Sequence, residues 1–142
     1  MKRIIFTFFI SMFLTNFSWA MKLPRTKAPK GAMAYIVSPT DGSKVKSPVK
    51  VVFGLKGMGV APAGVKNDMT GHHHLLIDSK LKDYSQPIPS DKNHVHFGGG
   101  QTEVSIDLKP GKHKLQLVLG DHLHIPHDPP IKSKVIEIEV IK

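Results

Sequence analysis

From Met33 onward, apolar and polar residues alternate in short runs separated by turn residues. Met33 to Val37 is followed by the turn cluster Ser38-Pro39-Thr40-Asp41-Gly42. Val49, Val51, Phe53 and Leu55 alternate with Lys50, Val52, Gly54 and Lys56. Val104, Ile106 and Leu108 share one face opposite Glu103, Ser105 and Asp107. Leu115, Leu117 and Leu119 alternate with Lys114, Gln116 and Val118, and Ile136, Ile138 and Val140 with Glu137 and Glu139. A period of two is the mark of a half-buried strand. No window carries a helical stripe, because Pro or Gly interrupts the candidates. With His73 to Asp78 and His94 to Phe97 the count reaches about seven strands. The expected fold is all-β, an immunoglobulin-like antiparallel β-sandwich, with a small closed barrel as the alternative.

One local pattern sharpens that expectation. Leu108-Lys109-Pro110-Gly111-Lys112-His113 has the layout of a sandwich corner, where a Pro-Gly turn leads to a ring whose polar tip bonds back to the backbone. His113 holds the ring's place and is assigned a structural role there.

The strand from Thr70 differs from the others. Leu75, Leu76 and Ile77 are apolar on both faces, so this strand is expected to be central and covered on both sides. His73 shares a face with Leu75 and Ile77, whereas His72 and His74 point the other way.

The segment before Met33 lacks this alternation. Lys2 and Arg3 precede an uncharged apolar run from Ile4 to Phe17, closed by Ser18-Trp19-Ala20. That is the layout of a secretory signal peptide over residues 1–20, and the run is short for a membrane span. Residues 21–32, with Lys22, Arg25, Lys27 and Lys30 among Pro24, Pro29 and Gly31, read as a basic extended tether. The domain is then 33–142. The expected location is periplasmic or secreted, with no integral membrane segment after signal cleavage.

Composition narrows the chemistry. The 142 residues include 9 His and no Cys. Disulfides, thiolate metal sites, clusters and cysteine nucleophiles are therefore excluded. The formal charge is +9 and the pI about 9.8. Nucleic acid is not expected as a partner, since few aromatics and no basic helix accompany the charge. No Gly-x-Ser-x-Gly elbow, His-Glu-x-x-His helix or close acid pair nominates a catalytic residue, so the reading leans away from an enzyme.

The histidines carry the candidate function. His72 and His74, His94 and His96, and His122 and His124 repeat one spacing. On a strand that spacing places two imidazoles on one face, and neutral imidazole is the commonest ligand of transition metals. His72, His74, His96 and His122 are the first candidate ligands, with His94, His124 and His127 as alternates. Met58 and Met69 offer thioethers, and Asp121 and Asp128 offer carboxylates as ligands or as partners that orient an imidazole. An imidazole set without thiolate suits copper(II), zinc or nickel, and the affinity order favours copper. Gly98-Gly99-Gly100 after His96 reads as a tight connector that permits close backbone approach. The competing reading is a non-metal binding or structural module of the cell envelope, in which the histidines form a hydrogen-bonding surface.

Several stretches resemble one bacterial family, the domain of unknown function numbered 4399. They are Ser47-Pro48-Val49 with Phe53 to Gly64, Thr70 to Asp78, His96 to Glu103, Leu117 to His122, and His127-Asp128-Pro129-Pro130. The resemblance spans roughly residues 33 to 141. It implies an exported β-domain and supplies no reaction.

Overall fold

The seven alternating runs all form strands, and two shorter ones join them. The computed structural model describes residues 23–142; the candidate signal peptide lies outside them. In chain order the strands are β1 (Met33–Ser38), β2 (Lys44–Lys46), β3 (Val49–Lys56), β4 (Gly59–Val60) and β5 (Thr70–Ile77). They continue with β6 (His94–His96), β7 (Glu103–Ile106), β8 (Gly111–Gly120) and β9 (Ile136–Ile141). The count is nine rather than about seven, because β2 and β4 are too short to show a period. Among the described residues there is no helix, and hence none long and apolar enough to cross a membrane.

The strands form two sheets. One has the order β1-β3-β7, antiparallel throughout. The other runs β2-β9-β8-β5-β4, with β6 also on β5. Here β2 lies parallel to β9 and β4 parallel to β5, so the sheet is mixed where an antiparallel one was expected. Both parallel partners are two- or three-residue strands at an edge.

The inward faces share one core. Ala34, Val49, Val51 and Phe53 from the small sheet join Leu75, Ile77, Leu115, Leu117, Leu119, Ile138 and Val140 from the large one. Each buried Val, Leu, Ile or Phe side chain among them stabilises the fold by about 1.5–3 kcal/mol. His73 belongs to this inner face, where its ring meets Phe53 at 5.2 Å between centroids. The outer face of the large sheet is covered as well. Leu76 and Val118 pack there with Ile88 from the segment between β5 and β6. Strand β5 is thus central and buried on both sides.

Chain direction changes sheets at the turn between β7 and β8. Gly111 takes a φ of 134°, in the region that favours glycine. His113 then bonds back to the Lys109 carbonyl through Nε2 at 2.8 Å. Its Nδ1 donates to Asp78 at the end of β5, at 2.7 Å. The other Asp78 oxygen accepts the Lys114 backbone N–H at 2.7 Å. The corner is therefore closed on two sides by one imidazole.

Candidate metal centre

Strand periodicity builds the site on the outer face of the large sheet. His72 and His74 both project there from β5, each fully buried. Register supplies the next ring: His74 pairs directly with His96 on β6, so the two imidazoles share a face. On the other side, the cross-strand partner of His72 is Gly120, the last residue of β8. A Cβ at Gly120 would stand 2.9 Å from His74 Nε2 and 3.3 Å from the His124 Cα. The missing side chain is the space the histidines use. Gly98 does the same for His96, since a Cβ there would lie 2.4 Å from the ring's Cε1. This is the close approach expected of the triple glycine.

The loop after β8 brings the fourth ring over that gap. Asp121, 2% exposed, folds the loop around its own carboxylate. One oxygen accepts the backbone N–H groups of Leu123 and Ile125 at 2.9 and 3.0 Å. The other accepts the Thr26 hydroxyl at 2.7 Å. Within this closed turn His124 has a φ of 66°, a left-handed conformation that an ordinary residue holds only when its surroundings impose it. The His124 carbonyl accepts the Ile88 N–H, tying the loop to the segment over Leu76.

His72, His74, His96 and His124 form one cluster. Five of the six ring-centroid separations lie between 4.8 and 5.0 Å, and the His74–His124 separation is 5.9 Å. Ligand nitrogens of His72, His74 and His96 lie within 4.8 Å of one another. His72 Nε2 and His74 Nε2 face each other at 3.0 Å. Nδ1 of both rings and Nε2 of His96 are buried without a hydrogen-bond partner. Buried polar atoms are nearly always satisfied. His73 and His127 also leave both ring nitrogens unpartnered, so it is the convergence of the three rings that sets the cluster apart.

Burial and mutual repulsion disfavour the charged form of His72, His74 and His96. Burial, followed by repulsion from His124 and His96, lowers the His72 pKa to about 4. Burial and then His72, His96 and His124 lower that of His74 to about 2. His96 is lowered as well, by burial and then by His124. A neutral imidazole keeps the lone pair that ligation requires.

The remaining candidates lie elsewhere. The ring that joins the cluster from the loop is His124 rather than His122. His122 lines a cavity of about 390 Å³ with Thr26, Lys27, Lys66 and Asp68. His94 is held by Asp91 and Ser79, at 2.9 Å each. His127 is fully buried with both ring nitrogens unpartnered, but it makes no ring contact with the four. Met58 packs against the core, and Met69 is 58% exposed with a φ of 54°. Both Asp121 oxygens are committed, one to the loop and one to Thr26, which makes it an orienting group. Asp128 is exposed and pairs with Arg25 at 3.1 Å. Arg25 also donates to the carbonyls of Pro126 and His127, so the basic segment before the domain lies along this loop.

Sequence reasoning did not single out Gly120, whose only signal is its position one residue before Asp121-His122. No curated protein and no solved structure matches the chain. Residues 51–141, which carry both histidine strands, the Asp121 loop and the glycines that make room for them, match the family model described as a domain of unknown function (DUF4399), and the chain belongs to that family.

Proposed function

We propose that this chain is an exported, periplasmic domain that binds a transition-metal ion, copper or zinc, through His72, His74, His96 and His124. The reading places the site on an immunoglobulin-like sandwich. The observation that carries it is the convergence of His72, His74 and His96, whose ligand nitrogens lie within 4.8 Å of one another and which each keep a buried nitrogen without a partner, with the His124 ring packed over them. Three points mutually within 4.8 Å share a centre about 2.8 Å from each at most. Zinc–imidazole bonds measure about 2.0–2.1 Å, so the rings need contract by less than about 1 Å. A hydrogen-bonding surface for an envelope partner would present its donors outward, whereas His72 and His74 are fully buried. Residues 1–20 support export through their charge and hydropathy pattern alone.

Calorimetric titration of the purified domain with copper(II) and with zinc(II) tests the binding. One equivalent should bind, and the His72→Ala/His74→Ala double variant should not bind it. Unchanged stoichiometry and affinity in that variant would overturn the assignment. The mass of the protein recovered from a periplasmic fraction tests the leader, with loss of residues 1–20 expected.

A further inference from the structure

The geometry points to an ion of closed-shell, tetrahedral preference, zinc(II) or copper(I), in place of the tetragonal copper(II) that the affinity order alone favours. This rests on the metal-binding reading of the same four histidines. The argument is one of distances. With a metal–nitrogen bond of about 2.0–2.1 Å, the ion stands about 3.2 Å from each ring centroid. Four rings at tetrahedral vertices are then separated by about 5.2 Å in all six pairs. Four rings in a square plane give four separations of about 4.5 Å and two of about 6.4 Å. The observed set is 4.8, 4.9, 4.9, 5.0, 5.0 and 5.9 Å. The four ring centroids form a slightly stretched tetrahedron with no pair at the trans distance of a plane. His72, His74 and His96 already bring ligand nitrogens within 4.8 Å of one another, and His124, which stands outside that group, would turn its ring to supply the fourth donor.

The scaffold also resists flattening. His72 and His74 are fixed two residues apart on one central strand, and His96 is fixed by its register against His74. His124 hangs from a loop tied to Asp121 and Ile88. Bringing His124 trans to any other ring means moving a backbone that already holds a left-handed residue. The Asp121 carboxylate is taken up by Thr26, Leu123 and Ile125, which leaves imidazole as the donor type at the cluster. Zinc takes its donors in a tetrahedral arrangement, whereas copper(II) and nickel(II) prefer tetragonal ones.

Cobalt(II) is a spectroscopic stand-in for zinc, and it tests the geometry on the wild-type domain. The expected result is the intense visible absorption of a four-coordinate ion, bleached by one equivalent of zinc. Exogenous imidazole should leave that spectrum unchanged in the wild type and shift it in His124→Ala, where it refills the vacated position. Zinc retention in air and copper(I) retention against a chromophoric chelator under reducing conditions tell which of the two ions is held more tightly. A weak six-coordinate cobalt spectrum would overturn the tetrahedral assignment while leaving metal binding intact. So would copper(II) displacing zinc with a tetragonal paramagnetic-resonance signature, or a wild-type spectrum that shifts with imidazole. Failure to bind cobalt, zinc and copper alike would overturn the underlying metal reading.

Discussion

Two imidazole environments in this domain use the same side chain in opposite ways. At the β7–β8 corner, both nitrogens of His113 donate, one to the Asp78 carboxylate and one to the Lys109 carbonyl. An imidazole can donate twice only as the cation. Burial opposes that charge, but the Asp78 and Lys109 bonds outweigh it and leave the pKa raised. At the cluster His72, His74 and His96 each keep a buried nitrogen without a partner, and burial lowers their pKa values. A histidine with each nitrogen answered by an acceptor completes a structure. One buried among other histidines with a nitrogen unanswered is, on the metal-binding reading, a ligand.

The largest effect that can break this contrast comes from removing ligands. His72→Ala/His74→Ala should lower zinc affinity by more than the roughly 10–100-fold typical of losing an orienting partner. His113→Gln should leave affinity unchanged in the same calorimetric assay. Equal losses in the two variants would erase the distinction between the environments.

Next comes the space the rings occupy. Gly98→Ala introduces a Cβ that the His96 ring cannot share, 2.4 Å from Cε1. The colliding group is a side chain, so the ring swings aside and the fold survives. Zinc affinity should fall about 10–100-fold, comparable to an orienting defect, with the circular dichroism spectrum unchanged.

Asp121→Asn should act in the same range or below it, about 10-fold. Asparagine keeps an acceptor for Leu123 and Ile125 but loses the negative charge near His72. Chemical-shift changes confined to residues 121–125 and His72 would distinguish this from general unfolding.

The smallest effect is the most diagnostic, because the two environments give pH slopes of opposite sign. The folded pKa of His113 is raised, so its contribution is complete below about pH 6.5 and is lost as pH rises through the folded value. His72 is depressed from 6.5 to about 4, so the unfolded chain binds more protons in that interval. Stability of the metal-free domain should therefore fall as pH drops from 6.5 toward 4. Urea denaturation across pH 4–9 should show a maximum between these limbs, with the alkaline limb flattened in His113→Gln and the acid limb flattened in His72→Ala. A profile whose two limbs respond to the same variant would sink the separation.

Much of this was legible in the chain because strands enforce a strict side-chain period. Alternation located seven strands, the buried character of β5, and the opposite facing of His73 from His72 and His74. It also put His96 beside them once the register was known. What alternation could not read lies where the period stops. Strands β2 and β4 have three and two residues and form through their neighbours' edges. In the loop after β8, spacing says nothing about direction, and the left-handed turn at His124, imposed by the Asp121 carboxylate, selects that ring over His122. The role of Gly120 was equally hidden, since the absence of a side chain leaves no pattern and is meaningful only against His74 and His124.

The Thr26–Asp121 hydrogen bond joins positions 95 residues apart in the chain. It is flanked by Arg25 reaching the Pro126 carbonyl across 101 residues. Contacts of such long separation carry the greatest loop-closure entropy and wait on the rest of the topology. His72, His74 and His96 meet through strand pairings, whereas His124 is carried by the loop that this contact reaches. The Asp121 carboxylate that shapes the His124 loop is thus also the clasp that holds the segment before the domain, so one buried charge ties both stretches of the chain to the ring cluster.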